Sequence, residues 1–581
     1  MILIPALLAQ AKERPALELE PIVVSRSSSA AGAGYSVSYG DSLYRAFDLP
    51  LESLKLFPID TEERSLSGSS QTRFSLRGST TRGVLMLLDG QRINDPQTEY
   101  YNSDIPFTKE DIKKIDILPS GASRTAGPDA IGGAISIALK KPEADERVLE
   151  LGYGSHDAAN VLLSFSEKMD NLATRFSLES HRDRGFSYDT DSKGFVISSV
   201  SFLEVPVGDI NLSAGYQEKE YGAYDFYTPG KGNPSREWTR TYLLKSGADL
   251  KGDGFLIKPS LLWRRHYDKF MLDENAMGSN HHRSDVYTPA LYLEKDTAAL
   301  GTLGLNLEYG KERMNSSNLG KHDRNHKSLT LSDKFRLGKK ISLDFSLRRD
   351  DFDGFGDMYY GSASAKVGVS EYGTLILGVS QDIRIPSFTE LYYSDDYSVG
   401  DAGLAAEKSL SCEFGYDYSR PGAGGGIKIF HRDERDLIDW VKSQARWEAE
   451  NIGVAKVVGT ECYFKVRPAK TASFDFNYTY IDKQFKEQDY IFKYGPNYAR
   501  HIFNGSFTLD MGRVSSMLWV SYKKKPLRDG WWLLGGYCDY RLNEKARFFF
   551  RVTNLLNVEY QQIEGIPQPG RYLEGGLRLE W

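Results

Sequence analysis

From residue 142 to the C-terminus the chain alternates apolar and polar residues in short segments, separated by clusters of Gly, Asp, Asn and Ser. Within 341–347, Ile341, Leu343, Phe345 and Leu347 share one face while Ser342, Asp344 and Ser346 take the other. Within 473–480 one side is wholly aromatic (Phe474, Phe476, Tyr478, Tyr480), opposed by Asp475, Asn477 and Thr479. A period of two predicts strands. A soluble sandwich and a lipid-facing barrel both show it, so one strand separates nothing. The number of segments says more: divided at roughly 20 residues per strand and connection, this part of the chain holds about 22 strands, the size of barrels whose lumen carries a plug. The chain also finishes as a strand, with Leu573, Leu577, Leu579 and Trp581 on one face and Glu574, Arg578 and Glu580 on the other. No strict internal repeat is present, which counts against a propeller.

Residues 41–141 read differently. Asp41 stands as an N-cap before Leu43, Phe47 and Leu51, whose spacing predicts helices over 41–47 and 49–56. Strands follow at 74–76 and 84–88, the second closed by an Asp89-Gly90 turn. Two apolar runs, 115–118 and 131–139, flank a small-residue centre with Gly121, Gly127, Gly132 and Gly133, which reads as strand, tight turns, strand. A segment so poor in bulk suits a crowded space. Together these elements predict a compact α+β unit of about 100 residues.

Composition alone slightly favours a large soluble sandwich or propeller over a barrel. Mean hydropathy is −0.45 and no run approaches a transmembrane helix, but a barrel averages lipid-facing and lumen-facing residues into the same value. The 35 Tyr, 29 Phe and 8 Trp suit interfacial girdles. A net charge of −6 argues against a dedicated nucleic-acid partner, and three scattered cysteines argue against a disulfide framework or zinc site. Residues 1–9, MILIPALLA, read as part of a signal peptide with Ala9 at the cleavage point, the alternative being a disordered apolar leader. Residues 10–40 have a tether's composition, and inside it Leu19, Glu20, Pro21, Ile22, Val23, Val24 and Ser25 form a short β-branched run able to add to another protein's sheet edge.

Motifs in order along the chain carry a resemblance. Residues 19–25 look like a TonB box. Phe74-Ser75-Leu76-Arg77-Gly78, the run Val84 to Gly90, and Asp129-Ala130-Ile131-Gly132-Gly133 resemble successive plug motifs. Ile385-Pro386-Ser387-Phe388-Thr389-Glu390-Leu391-Tyr392, Glu407-Lys408-Ser409, Asn554-Leu555-Leu556-Asn557 and the terminal Trp581 resemble barrel motifs. The chain is thus similar, over nearly its whole length, to the TonB-dependent outer-membrane receptors. One departure is Pro119-Ser120-Gly121, where many members place Arg-Gly-Pro; another is Pro21, which limits strand pairing of the box to the residues after it.

The resemblance implies a transmembrane antiparallel β-barrel of about 22 strands (142–581) with an N-terminal α+β plug domain (41–141) in its lumen. It implies TonB-dependent import across the cell outer membrane of a scarce bulky solute, with no enzyme activity and no required cofactor. Its implied partners are TonB with its inner-membrane energising proteins, a small-molecule ligand, outer-membrane lipid and the barrel-assembly machinery. The compact barrel and the run Trp263 to Phe270 resemble the cobalamin-receptor branch; ferric-siderophore receptors are the alternative, then a passive gated pore. That branch carries calcium ligands that map to Asp191 and Asp225, although Lys193 stands where it has another carboxylate, and an ammonium cannot ligate calcium. Haem is disfavoured, because no histidine lies between Ser387 and Phe430.

The loop 94–102 offers Asn94, Gln97, Tyr100, Tyr101 and Asn102 as ligand contacts at a plug apex, against simple packing on the wall. Arg73, Arg77 and Arg82 are expected to pair with acidic barrel residues, since lumen charges need partners. His281-His282 reads as a polar external loop rather than a metal pair, and 433–436 as a solvated turn or lumen wall rather than paired catalytic carboxylates. Neither G-x-S-x-G nor H-E-x-x-H occurs in the chain.

Overall fold

The structure, a computed structural model, describes residues 35–38, 42–66, 70–118, 127–228, 230–273, 278–297, 301–443, 446–486, 491–495 and 497–581. The signal-peptide reading, residues 19–25 and the Asp41 cap lie outside them.

Alternation along each segment produces a closed antiparallel barrel of 22 strands, neighbours in sequence pairing in space. The first strand, Glu146–Gly154, pairs with the last, Tyr572–Glu580, and Arg147 of the first exchanges backbone hydrogen bonds with Trp581 at 3.0 and 3.1 Å. The terminal strand therefore closes the sheet and leaves no edge.

Burial separates the barrel from a soluble sandwich. In the strand Ile341–Phe352 the apolar Phe345 and Leu347 are 47% and 56% exposed, while Arg348 and Asp350 are fully buried. In Ala472–Phe485 the aromatic face points out, and Asn477 turns inward and donates to the Leu56 carbonyl at 3.0 Å. A core in water would have the opposite pattern.

The lumen is filled by the N-terminal domain. Seven strands are β1 (Tyr35–Ser38), β2 (Ile59–Glu63), β3 (Thr72–Leu76), β4 (Val84–Leu88), β5 (Gln91–Arg92), β6 (Ile112–Leu118) and β7 (Gly133–Leu139). Five form a mixed sheet in the order β1-β6-β7-β4-β5, with β4 and β7 parallel; β2 and β3 form a separate hairpin. Ile115, Ile117, Ile135, Ile137, Met86 and Leu88 fill its core. Asp89 and Gly90 both take positive φ, 44° and 84°, the two-residue turn the sequence predicts between β4 and β5. Gly132 meets a different constraint: a Cβ there would stand 2.7 Å from the Leu76 carbonyl oxygen. The two predicted helices are shorter than their spacing suggests, an α-helix Ser42–Arg45 and a 3-10 helix Glu52–Leu56. Pro50 and Pro58 bracket the second, and proline disfavours helix in the residue before it.

Charged pairs fasten this plug to the wall. Arg77 donates to Glu461 at 2.9 and 2.6 Å and lies 2.7 Å from Glu413. Arg551 reaches Asp48 at 2.5 Å, Lys109 reaches Glu150 at 2.6 Å, and Lys525 reaches Glu62 at 2.7 Å. Arg73 corrects the expectation: its partners, Glu62 at 2.6 Å and Glu99 at 3.9 Å, both belong to the plug. Arg82 is divided between Glu99 of the plug at 2.9 Å and Glu390 of the barrel domain at 3.4 Å. The reason is local: β2 and β3 pair with Glu62 opposite Arg73, so the plug satisfies that charge itself.

Candidate functional site at the plug apex

The loop after β5 forms the apex, and its own side chains shape it. Asn94 accepts from the Met86 amide at 2.8 Å and donates to the Val84 carbonyl at 3.0 Å, tying the loop to β4. Asn102 accepts from the Asp95 amide at 2.8 Å. The Asp95 carboxylate accepts from Arg264 at 2.5 Å and Ser284 at 2.8 Å, anchoring the loop to the wall. Tyr101 donates to Glu237 at 2.6 Å and stacks on His266 at 4.2 Å between ring centres.

Tyr100 faces the cap instead, while the buried Gln97 side chain reaches Asp268 of the wall. The Tyr100 hydroxyl lies 3.1 Å from that of Tyr494 in an external loop, and its ring sits 5.0 Å from the Arg73 guanidinium. The Gln97 side-chain oxygen is buried without a hydrogen-bond partner among the described residues. Of the five predicted residues, the structure thus spends Asn94, Gln97, Tyr101 and Asn102 on loop and wall, and presents Tyr100 toward the cap.

That cap is built on the short helix Phe388–Tyr392. Ser387 and Glu390 form a reciprocal capping box, with Glu390 accepting from the Ser387 amide at 2.8 Å. The helix N-terminus then sits on the apex: Phe388 donates to the Pro96 carbonyl at 2.9 Å and Thr389 to the Gln97 carbonyl at 3.2 Å. Glu390 also binds Arg384 at 2.8 and 3.0 Å. Burial alone would raise the Glu390 carboxyl; the Arg384 and Arg82 guanidinia outweigh it and hold it at about 2.

Above the helix lies a three-stranded sheet, Ser398–Val399, Arg446–Asn451 and Ile438–Ser443 in spatial order. Its Trp440 packs against Tyr393, and the Lys493 ammonium lies 5.8 Å from the Trp440 ring centre and 5.4 Å from that of Tyr494. Asp439 accepts backbone N–H bonds from Trp440, Tyr494 and Gly495, and burial still pushes its carboxyl up to about 6. The result is an aromatic and amide surface where plug meets cap. Among the described residues it contains no nucleophile–base arrangement of the kind acyl or glycosyl transfer would need.

Comparison with known proteins agrees with this architecture. A family model described as "TonB dependent receptor-like, beta-barrel" matches residues 151–555, and one described as "TonB-dependent Receptor Plug Domain" matches residues 58–134. The chain belongs to the TonB-dependent receptors. Among curated relatives, the vitamin B12 transporter BtuB of Vibrio vulnificus (strain YJ016) is 23% identical over 570 residues, spanning 90% of this chain and 87% of that protein. Among solved structures, the siderophore receptor PirA from Pseudomonas aeruginosa superposes with a TM-score of 0.76 at 17% identity, covering 95% of this chain and all of that one. The FrpB iron transporter from Neisseria meningitidis gives 0.78 at 14% identity, covering 94% and 99%. At those identities the structures share the fold.

In this receptor the positions read as calcium ligands are otherwise engaged. Asp191 holds Arg236 with both oxygens, at 3.1 and 2.6 Å; the same guanidinium contacts Glu220 at 3.1 Å and Asp189 at 3.4 Å. Lys193 pairs with Glu220 at 2.7 Å. Asp225 accepts the amides of Gly230, Gly232 and Asn233 at 3.0, 3.0 and 2.9 Å, closing its own loop. Calcium requires six to eight converging oxygens, and the described residues contain no metal-binding group of three or more His, Cys, Asp or Glu. These residues do not fit the ion.

The other charged motifs divide between faces. His282 lies 3.7 Å from Asp268 inside the wall, while His281, pointing the other way, bonds Ser279 at 2.8 Å. Glu434 faces the lumen with Arg432 at 2.8 Å and Lys483 at 2.9 Å; Asp433 faces out beside His431 at 3.2 Å. Sequence reasoning missed Tyr494, Lys493 and Trp440, which lie about 340 to 400 residues from the apex loop and carry no motif. It also missed Glu390, whose place three residues after Ser387 is a capping signal but whose reach to Arg82 no spacing reveals.

Proposed function

We propose that this receptor imports a corrinoid, cobalamin or a close relative, across the outer membrane by TonB-dependent transport. The observation that carries the ligand class is charge balance at the apex. Arg73, Arg82, Arg264 and Lys219 are already paired, with Glu62, Glu99 and Glu390, Asp95, and Asp104 respectively. A strongly anionic ferric chelate would have to displace those carboxylates, at several kcal/mol for each stranded charge. A corrinoid presents peripheral amides and an extended apolar ring, which suit the unpartnered Gln97 oxygen and the Tyr100 and Tyr494 rings. The similarity to a vitamin B12 transporter supports the same reading. Coupling is assigned to residues 19–25, whose edge pairing with TonB would transmit tension through backbone hydrogen bonds.

A second reading, a ferric-siderophore receptor, is favoured by Arg64 and Lys493, which make no carboxylate pair among the described residues; Arg64 donates instead to the Phe226 carbonyl at 2.8 Å. Calorimetric titration of the purified full-length protein with cyanocobalamin and with ferric enterobactin separates the two. Saturable cobalamin binding is expected, with cellular uptake lost on deletion of residues 19–25. Ferric enterobactin binding without a cobalamin signal would refute the ligand assignment, and uptake unaffected by the deletion would identify a passive gated pore.

A further inference from the structure

Most charges at the apex are spent on one another, so those left over decide what the surface can still bind. Arg73 and Arg82 are paired with Glu62, Glu99 and Glu390. Lys493 of the cap is different: it is exposed, and no carboxylate lies within ion-pair reach of it among the described residues. Two rings hold its ammonium, Trp440 at 5.8 Å and Tyr494 at 5.4 Å from nitrogen to ring centre. The carboxylates in its surroundings are Asp439 and Asp395. Asp439 accepts the amides of Trp440, Tyr494 and Gly495; Asp395 accepts the Tyr393 hydroxyl at 2.8 Å and the amides of Tyr397 and Ser398 at 2.8 and 2.6 Å. They offset part of the lysine's charge through space but do not ligate it.

A hydrogen-bond donor stands beside it. The Tyr100 and Tyr494 hydroxyls lie 3.1 Å apart, so one hydroxyl hydrogen fills the space between them and the other is left over. Neither hydroxyl has another partner among the described residues, and both side chains are half-buried. Lys493 interacts with Tyr100 as well as with Tyr494. On the plug side, Arg64 stands in the electrostatic surroundings of the same Tyr100 hydroxyl. It is buried, donates to the Phe226 carbonyl at 2.8 Å, lies over the Phe226 ring at 4.5 Å, and keeps its Nε–H without a partner. The carboxylate in its surroundings, Glu62, is held by Arg73 at 2.6 Å and Lys525 at 2.7 Å. Tyr100 thus has near it two cations that no carboxylate ligates.

We propose that Lys493, with the spare hydroxyl hydrogen of Tyr100 and Tyr494, binds one monoanionic phosphodiester of the cargo, the one in the nucleotide loop of a complete cobalamin. The inference rests on the corrinoid reading above and makes the site selective within that class. A monoanion matches the supply: one ammonium and one O–H answer the two free oxygens of a phosphodiester. A chelate carrying several negative charges would leave most of them unanswered by these groups. Charge-assisted hydrogen bonds are about twice as strong as neutral ones, so the nucleotide loop contributes binding that the ring amides alone do not. The buried Arg64 adds a second positive field at Tyr100.

The test titrates the purified full-length protein by calorimetry with cyanocobalamin and with dicyanocobinamide, which keeps the corrin ring and its amides but lacks the phosphodiester. The wild type is expected to bind cyanocobalamin on the order of tenfold more tightly, the worth of one charge-assisted contact. K493Q should lose that margin by weakening cyanocobalamin alone, and K493R should retain it. Y100F/Y494F, which keeps both rings, should lose it as well. K442Q, which removes the lysine over Trp447 in the same cap sheet, should change neither affinity. Equal affinity of the wild type for the two corrinoids would overturn the inference and leave the corrinoid reading standing. So would an equal loss of both in K493Q, the mark of a structural role, or an effect of K442Q as large as that of K493Q. Binding of neither corrinoid would refute the corrinoid reading itself, and this subsite with it.

Discussion

Arg77 offers the sharpest test of how the plug is held. Its guanidinium makes two hydrogen bonds to Glu461, at 2.9 and 2.6 Å, stands 2.7 Å from Glu413, and lies 4.4 Å from the Phe430 ring centre, with all the charged partners buried. Replacing it with methionine keeps much of the apolar stem but strands two carboxylates facing one another in the lumen. Breaking a buried pair from one side costs about 3–5 kcal/mol, which lowers the plug-docking equilibrium on the order of a thousandfold. Trp519 of the wall packs on Phe47 of the plug at 5.4 Å, so its fluorescence follows plug release. Urea titration of the detergent-solubilised full-length protein should show this release at markedly lower denaturant for R77M. Neutralising the partners as well, in R77M/E413Q/E461Q, should recover most of the loss, because no uncompensated charge remains. A loss under about 1 kcal/mol in R77M would place the pair in the class of weak, solvated bridges. Failure of the triple variant to recover would mean that Arg77 acts through packing and not through charge.

The calcium question has its own signature: wild-type thermal stability should be indifferent to millimolar calcium or to chelator. R236Q, which leaves Asp189, Asp191 and Glu220 without their shared cation, should be destabilised and gain a calcium response; a calcium shift in the wild type would refute this. Acid should loosen the cap through Glu390, whose folded value of about 2 lies below its ordinary 4.5. Its contribution, about 3 kcal/mol, is fully present above pH 4.5 and is lost as pH falls toward 2. The thermal midpoint of E390Q should therefore fall less steeply than that of the wild type over this range, and parallel curves would remove Glu390 from the account.

The strand number, the plug and the two strands flanking its small-residue segment were legible in the sequence because they rest on local rules. A period of two sets which residues share a face, and Asp89-Gly90 supplies the backbone a tight hairpin needs. The direction of each face was not legible: Phe345 and Arg348 alternate alike in a sandwich and in a barrel, and only closure of Glu146–Gly154 on Tyr572–Glu580 turns the arginine inward. Partners were decided the same way. Arg77 finds Glu461 across 384 residues, whereas Arg73, four residues earlier, finds Glu62 inside the plug. The apex loop was readable as a loop, yet the role of each side chain in it depended on what closed over it. Tyr494 reaches Tyr100 across 394 residues of chain, and Arg236 fills the place where the local sequence suggested a metal ion. Spacing along a chain determines faces and turns; which charges and rings meet is settled by the closed barrel, which brings distant strands around one enclosed domain.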